Sequence, residues 1–168
     1  SVTNTFLVNS VESIIEAVNR YYTSSAQFVG GMGEQDPGVW FAPGDTRTQD
    51  LLADATTLQL LEDAMEACRS ERHGVPFAVY TSGVHVVDME AVAALRWDSV
   101  QVSLWAATPN DYNKCTGGRN DFAQVCGFIA QASEMNVPVE VGVLRQYAGP
   151  ASSLALSLGA RHVHVYDV

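Results

Sequence analysis

The sequence predicts an α/β fold with parallel strands, and two patterns support that prediction. Short apolar runs of strand length alternate with amphipathic runs of helix length from residue 11 to the end of the chain. Parallel neighbours need a crossover of a dozen or more residues, usually a helix, so this alternation favours a parallel sheet with helices outside it. Most junctions carry Gly, Pro, Asp or Asn, which interrupt regular structure. We count five helices and five strands in one domain.

The first half of the chain contains two predicted pairs of a helix and a strand. The first helix spans 11–18, where apolar residues recur at i, i+3, i+4 and i+7, and a short strand at 26–29 follows it. A second helix begins at a capping box of Thr56 and Gln59, and a strand at 77–80 follows. No strand is predicted ahead of the first helix, so the opening strand is missing.

The second half repeats the pattern. Asp88 is placed to cap a short helix, and an apolar stripe predicts another helix over 122–130. A last helix runs from Pro150 to Gly159, which matches the preference for Pro at helix starts and Gly at helix ends. Strands alternate with these helices at 100–104, 137–144 and 162–166.

Composition excludes several classes of function. The net charge is -10 and the pI is about 4.6, which gives no electrostatic support for binding nucleic acid or an anionic membrane. No apolar run is long enough to span a bilayer. Cys68, Cys115 and Cys126 have neither Cys-x-x-Cys spacing nor the density of a disulfide scaffold. We expect a soluble protein of a reducing compartment.

Polar residues after the predicted strands are the candidates for a binding site. The turn that contains Gly30, Gly31, Gly33 and Glu34 would let backbone amides approach a ligand, with a carboxylate beside them. The alternative is a flexible turn, because neither a P-loop nor a Gly-x-Gly-x-x-Gly motif is present.

The hydroxyls of Thr81, Ser82 and Ser103 follow or end later strands. They could bind a ribose or a carboxylate, or they could satisfy local backbone groups instead. Residues 35–50 are predicted to form a long loop, whose Trp40 and Phe41 would need cover from a ligand, a partner or the domain itself.

Two histidines share one face of the last predicted strand. His162 and His164 are spaced to ligate a metal if His85, Asp88 or Glu140 supplied a third ligand. The spacing fixes none of the three, so histidines that are simply packed or hydrogen-bonded are the default interpretation.

Several short motifs together resemble the core of the radical S-adenosylmethionine (SAM) enzymes. The matching pieces are the helix at 11–18, Gly-Gly-x-Gly-Glu-x-x-Pro at 30–37, Tyr-Thr-Ser-Gly at 80–83, Val-Gln-Val-Ser-Leu-Trp at 100–105, and Asp-Tyr before Gly-Gly at 111–118. The resemblance covers nearly the whole chain and implies a partial TIM barrel of five to six parallel strands, with the helices on the outside.

The resemblance also implies a ligand. It would place Gly30, Gly31, Gly33 and Glu34 at the methionyl amine of SAM. Thr81, Ser82 and Ser103 would lie near its ribose or carboxylate, and residues 141–144 near its adenine.

The sequence differs from the family in the residues that would bind an iron-sulfur cluster. Its Cys-x3-Cys-x2-Cys loop, which binds a [4Fe-4S] cluster, should stand just before the helix at 11–18, but residues 1–10 contain no cysteine. We therefore expect no cluster on this chain and no radical reaction. Two functions follow: a non-catalytic binding or assembly subunit with a protein partner, or a SAM-binding enzyme whose cluster segment lies outside this chain.

The apparent absence of a first strand leads to one structural expectation. It would leave the edge of the predicted strand at 26–29 unpaired, and an open edge tends to pair with another segment. We expect residues 1–8 to fill that gap as an irregular or strand-like segment, unless a partner does.

Overall fold

The computed structural model describes residues 4–8, 39–43, 50–71 and 76–167. The chain divides into two compact units, one of residues 1–80 and 86–98 and the other of residues 81–85 and 99–168. Within each unit, the described strands pair in parallel, and a helix lies in each connection that is described between neighbouring strands of a unit. The parallel α/β class is therefore confirmed, whereas closure of the strands into a partial barrel stays a prediction.

The first unit contains three parallel strands. Strand β1 (Asn4–Val8) pairs with β2 (Val39–Pro43), which pairs in turn with β3 (Phe77–Thr81). Helix α1 (Ala55–Glu71) connects β2 to β3, and the short helix α2 (Met89–Ala94) follows. The predicted helix at 11–18 and the predicted strand at 26–29 lie outside the described residues.

Two predictions for this unit are corrected. Strand β1 precedes the predicted first helix, so the prediction that the first strand is missing was wrong. The strand-like structure expected for residues 1–8 is confirmed over Asn4–Val8. Trp40 and Phe41 lie in β2 and not in a long loop. Their run of apolar residues is typical of a strand in a parallel sheet, but the Pro and Gly on both sides favoured a loop.

The helix starts in this unit are set by aspartates. Helix α1 begins at Ala55, and the carboxylate of Asp54 accepts from Thr56 N at 3.4 Å and from Thr57 Oγ1 at 2.9 Å. The predicted capping box was therefore wrong, because Thr56 already lies inside the helix. The cap at Asp88 is confirmed, since its Oδ1 accepts from Ala91 N at 3.1 Å.

The second unit also has three parallel strands, which pair side by side in their order along the chain. The predicted strands and the helix at 122–130 are confirmed within a few residues, and the last helix begins at Ala148, ahead of Pro150. One helix was missed, although Thr108 caps it, Pro109 opens it and Gly117 (φ +70°) ends it. The elements are β4 (Ser99–Trp105), α3 (Pro109–Thr116), α4 (Phe122–Glu134), β5 (Val139–Leu144), α5 (Ala148–Ser157) and β6 (His162–Tyr166).

The sheet of the second unit has two different faces because side chains alternate along a strand. One face is apolar and buried, and α4 and α5 pack against its strands. Its residues are Val100, Val102, Leu104, Val139, Val141 and Val143. The opposite face carries Gln101, Ser103, Glu140, Gly142, His162, His164 and Tyr166. This second set, which we call the polar face, carries the side chains that can form hydrogen bonds with a ligand.

Candidate functional site

A pocket of about 380 Å³ lies at the carboxyl ends of β5 and β6. Its volume is within the range of about 300 to 1,000 Å³ that is typical of small-molecule sites. In open parallel α/β sheets, ligands bind beyond the carboxyl ends of the strands, so both size and position fit a ligand site. The pocket is lined by Leu144, Arg145, Gln146, Tyr166 and Asp167.

An aromatic pair stands on the polar face beside this pocket. The rings of Trp105 and Tyr166 meet edge to face, with their centroids 6.0 Å apart. A Cβ atom placed on Gly142 would lie 2.8 Å from Cε2 of Tyr166 and 3.7 Å from Oγ of Ser103. The Tyr166 ring therefore lies directly over the backbone of β5, and only glycine leaves room for it there.

The backbone at Trp105 is strained. Its φ is +69°, which is an outlier for a bulky residue, and Ala106 N donates to Leu104 O at 2.8 Å across it. A hydrogen bond between residues i and i+2 around a positive φ is the pattern of the rare γ-turn. The register with β5 also shifts between Ser103 and Trp105. Strain of this kind costs about 1 to 3 kcal/mol and is concentrated at functional sites.

The charged groups of the pocket form an exposed ion pair. Arg145 Nε donates to Asp167 Oδ1, and this contact raises the pKa of Arg145. Both side chains are mostly open to solvent. Exposed pairs contribute little to stability, typically below about 1 kcal/mol, so the guanidinium can exchange its partner for an anionic ligand at small cost.

A second polar cluster occupies the start of the strands on the same face. The Ser99 hydroxyl donates to Glu140 Oε2, and Glu140 Oε1 lies 2.7 Å from Nε2 of His164. Burial alone would raise the pKa of Glu140, but the hydrogen bonds from Ser99 and His164 outweigh it and the pKa is lowered. The carboxylate thus orients an imidazole that is 44% exposed.

The structure gives local roles to two of the predicted site residues, Thr81 and Ser82, and a position on the polar face to a third, Ser103. Thr81 is buried and its Oγ1 accepts from Gly83 N at 3.1 Å, while Ser82 Oγ accepts from Val84 N at 3.3 Å. Both hydroxyls thus stabilise the turn after β3. Ser103 lies on the polar face, near Tyr166.

The remaining predicted site residues have different outcomes. Gly30, Gly31, Gly33 and Glu34 lie outside the described residues. Of the segment 141–144, Val141 and Val143 belong to the buried apolar face, and Leu144 lines the pocket. Sequence inspection missed Arg145, Trp105 and Tyr166 as a group, although each stands at the carboxyl end of a predicted strand.

The cysteines and histidines form no metal centre in the described part of the chain, where no three His, Cys, Asp or Glu side chains are grouped to hold a metal ion. Cys115 and Cys126 are free thiols, and burial raises the pKa of both. Among the possible third ligands for the histidine pair, only Glu140 contacts His164, and it does so by a hydrogen bond. No described helix is long and apolar enough to cross a membrane.

Comparison with known proteins adds no assignment. No protein-family model matches the sequence, and no curated protein matches it significantly.

Proposed function

We propose that this chain is a radical SAM-like domain that acts as a binding module, and that its ligand is SAM or a related nucleoside. The observation that supports this best is the pocket at the carboxyl ends of β5 and β6, with an aromatic pair and an arginine around it. The polar face beside it provides further hydrogen-bonding groups, of which Ser103 is one. In this proposal, the chain binds its ligand without a radical reaction.

The residues that line the pocket, together with Trp105 beside Tyr166, fit the chemistry of SAM. Its sulfonium is a cation, which aromatic faces such as those of Tyr166 and Trp105 attract, and the same rings can stack on an adenine. Its carboxylate matches the guanidinium of Arg145, which is planar and always charged. SAM would supply a sulfonium-activated carbon when bound, and the residues of this chain would hold and orient it.

The residues do not fit an iron-sulfur cluster. Such a cluster needs several thiolates close together, and the three cysteines of the sequence are 47 and 11 residues apart, in the order Cys68, Cys115, Cys126. The two described thiols, on α3 and α4, are half-buried with raised pKa values, so they favour the neutral form that does not bind iron.

Calorimetric titration with SAM tests the proposal. The wild-type chain should release or absorb heat on binding and unfold at a higher temperature with SAM, because a ligand of the native state stabilises it by mass action. Arg145→Gln should weaken binding about tenfold, since a charged hydrogen bond contributes about 1.5 to 3 kcal/mol and the site is open to solvent.

A matched control is available on another element. Lys114 on α3 is an exposed cation that does not line the pocket, so Lys114→Gln should bind SAM as the wild type does. Absence of heat and of any thermal shift at millimolar SAM would refute the proposal, as would equal weakening by both variants.

A further inference from the structure

The free edge of β6 has features of a protein interface. Within the described residues, β6 pairs with β5 on one side and with no strand on the other. Its sequence, His-Val-His-Val-Tyr, contains no Pro, Lys or bulge, the devices that usually prevent edges from pairing with other chains. Val165 is 40% exposed. Leu156, which lies on the helix α5 that packs against β6, is 55% exposed.

The free edge of β6 also carries unpaired backbone groups. The carbonyl of Val139 accepts from Arg161 N at 2.8 Å, so the pairing with β5 begins just before β6. Successive N–H and C=O groups of a strand point alternately to its two sides, so one set of those in β6 pairs with β5 and the other set points toward the free edge.

The segment around β6 is complementary to itself. Residues 161–167 read Arg-His-Val-His-Val-Tyr-Asp, so an antiparallel copy centred on His164 places Arg161 opposite Asp167 of the second copy. The same register places Val163 opposite Val165 of the second copy, so two apolar side chains would lie side by side. The two-fold axis repeats each of these contacts, as an isologous interface requires.

The charge distribution favours the same surface. Residues 1–134 carry seven Lys and Arg against seventeen Asp and Glu, which accounts for the whole net charge of -10. Residues 135–168 carry two of each and are neutral apart from their histidines. Two copies of an acidic protein repel each other least where they meet through a neutral segment, and an isologous interface must bring identical charges together.

We propose that the chain forms a two-fold homodimer through antiparallel pairing of β6 with β6 of a second copy. Arg161 is exposed, and no side chain in the described part of the chain forms an ion pair with its guanidinium, so we take it as available to Asp167 of the second copy. Asp167 is 75% exposed and binds Arg145 with one oxygen, which leaves its other oxygen for the new pair.

Sedimentation equilibrium on the full chain tests the dimer. The wild type should sediment at twice its monomer mass of 18.1 kDa, with a concentration-dependent approach to that limit. Arg161→Asp and Asp167→Arg should each weaken association at least tenfold, because each sets like charges opposite one another. The double variant that carries both substitutions should regain association, since the charges are exchanged.

Two further variants separate the interface from folding and from net charge. Val165→Lys puts a lysine at an exposed position of the edge strand, where lysine prevents pairing, so it should abolish the dimer while the circular dichroism of the monomer stays native. Lys114→Asp makes the same charge change as Arg161→Asp on α3 and should leave the dimer intact. A wild-type monomer at all concentrations would overturn the proposal, and so would a dimer that Arg161→Asp leaves unchanged.

Discussion

Substitution of Gly142 by alanine tests the packing on which the candidate site depends. The new Cβ would lie 2.8 Å from Cε2 and 3.3 Å from Cδ2 of Tyr166, well inside van der Waals contact. The backbone of β5 is fixed by strands on both sides, so the tyrosine ring has to move. Movement of the ring disturbs its edge-to-face contact with Trp105 and the wall of the pocket.

The expected cost follows from these contacts. Loss of the aromatic contact accounts for about 0.5 to 1.5 kcal/mol, and overpacking of a filled site costs about 1 to 3 kcal/mol. Because Tyr166 is partly exposed and can rotate toward solvent, we expect the lower part of the summed range, so that the free energy of unfolding falls by about 1.5 to 3 kcal/mol. The affinity for SAM should fall as well, since the ring lines the pocket.

Urea denaturation measures the change, and Gly127→Ala is the matched control. A Cβ on Gly127, which is exposed in α4, meets no atom within 4 Å, and alanine in a helix is more stable than glycine by about 0.5 to 1 kcal/mol. The two variants should therefore change stability in opposite directions. If Gly142→Ala were as stable as the wild type and kept the contact between Tyr166 and β5 in NMR spectra, the described packing would be wrong.

Two other substitutions follow from the same structure. The pKa of Glu140 is lowered in the folded chain, so its contribution to stability is present above the usual glutamate pKa and is lost as the pH falls through the lowered value. Glu140→Gln removes this contribution, so the free energy of unfolding of the variant should fall less steeply between neutral and acidic pH than that of the wild type. Gly159→Ala should lower the free energy of unfolding in urea by about 2 to 4 kcal/mol, because the φ of Gly159 is +103° and the new Cβ would lie 2.0 Å from Oγ of Ser133. A Cβ on Gly149, which lies in helix α5, meets nothing within 4 Å, so Gly149→Ala should leave the stability unchanged or raise it slightly. These expectations would be contradicted if the glutamine variant lost stability at acidic pH as steeply as the wild type, or if the two alanine variants were equally stable.

The order of the elements could be predicted from the sequence where apolar spacing was unambiguous. The buried runs of β4 and β5 and the stripe of α4 each have a single compatible period, and the structure confirms them. The run at Trp40 was misassigned because its Gly and Pro neighbours are typical both of loops and of the ends of short strands. Helix α3 was missed because its polar sequence, Pro-Asn-Asp-Tyr-Asn-Lys-Cys-Thr, has no apolar stripe, although its caps are clear.

The candidate site was harder to predict because it depends on register. Sequence inspection placed Ser103 at the end of a strand, which the structure confirms, but it could not show that Tyr166 lies over Gly142. That contact joins residues on two strands, and pairing between strands is not encoded by local periodicity. The positive φ of Trp105 likewise occurs where the register between β4 and β5 shifts, and local periodicity does not reveal that shift.

The most direct test of the proposed function is to map SAM binding by NMR on the isotope-labelled chain. We predict that SAM shifts the amide signals of Arg145, Gln146 and Asp167 and the indole signal of Trp105, with smaller shifts at Lys114 on α3. Saturable shifts confined to residues away from the carboxyl ends of β5 and β6, or no shifts at millimolar SAM, would contradict the proposal that this pocket is a nucleoside site.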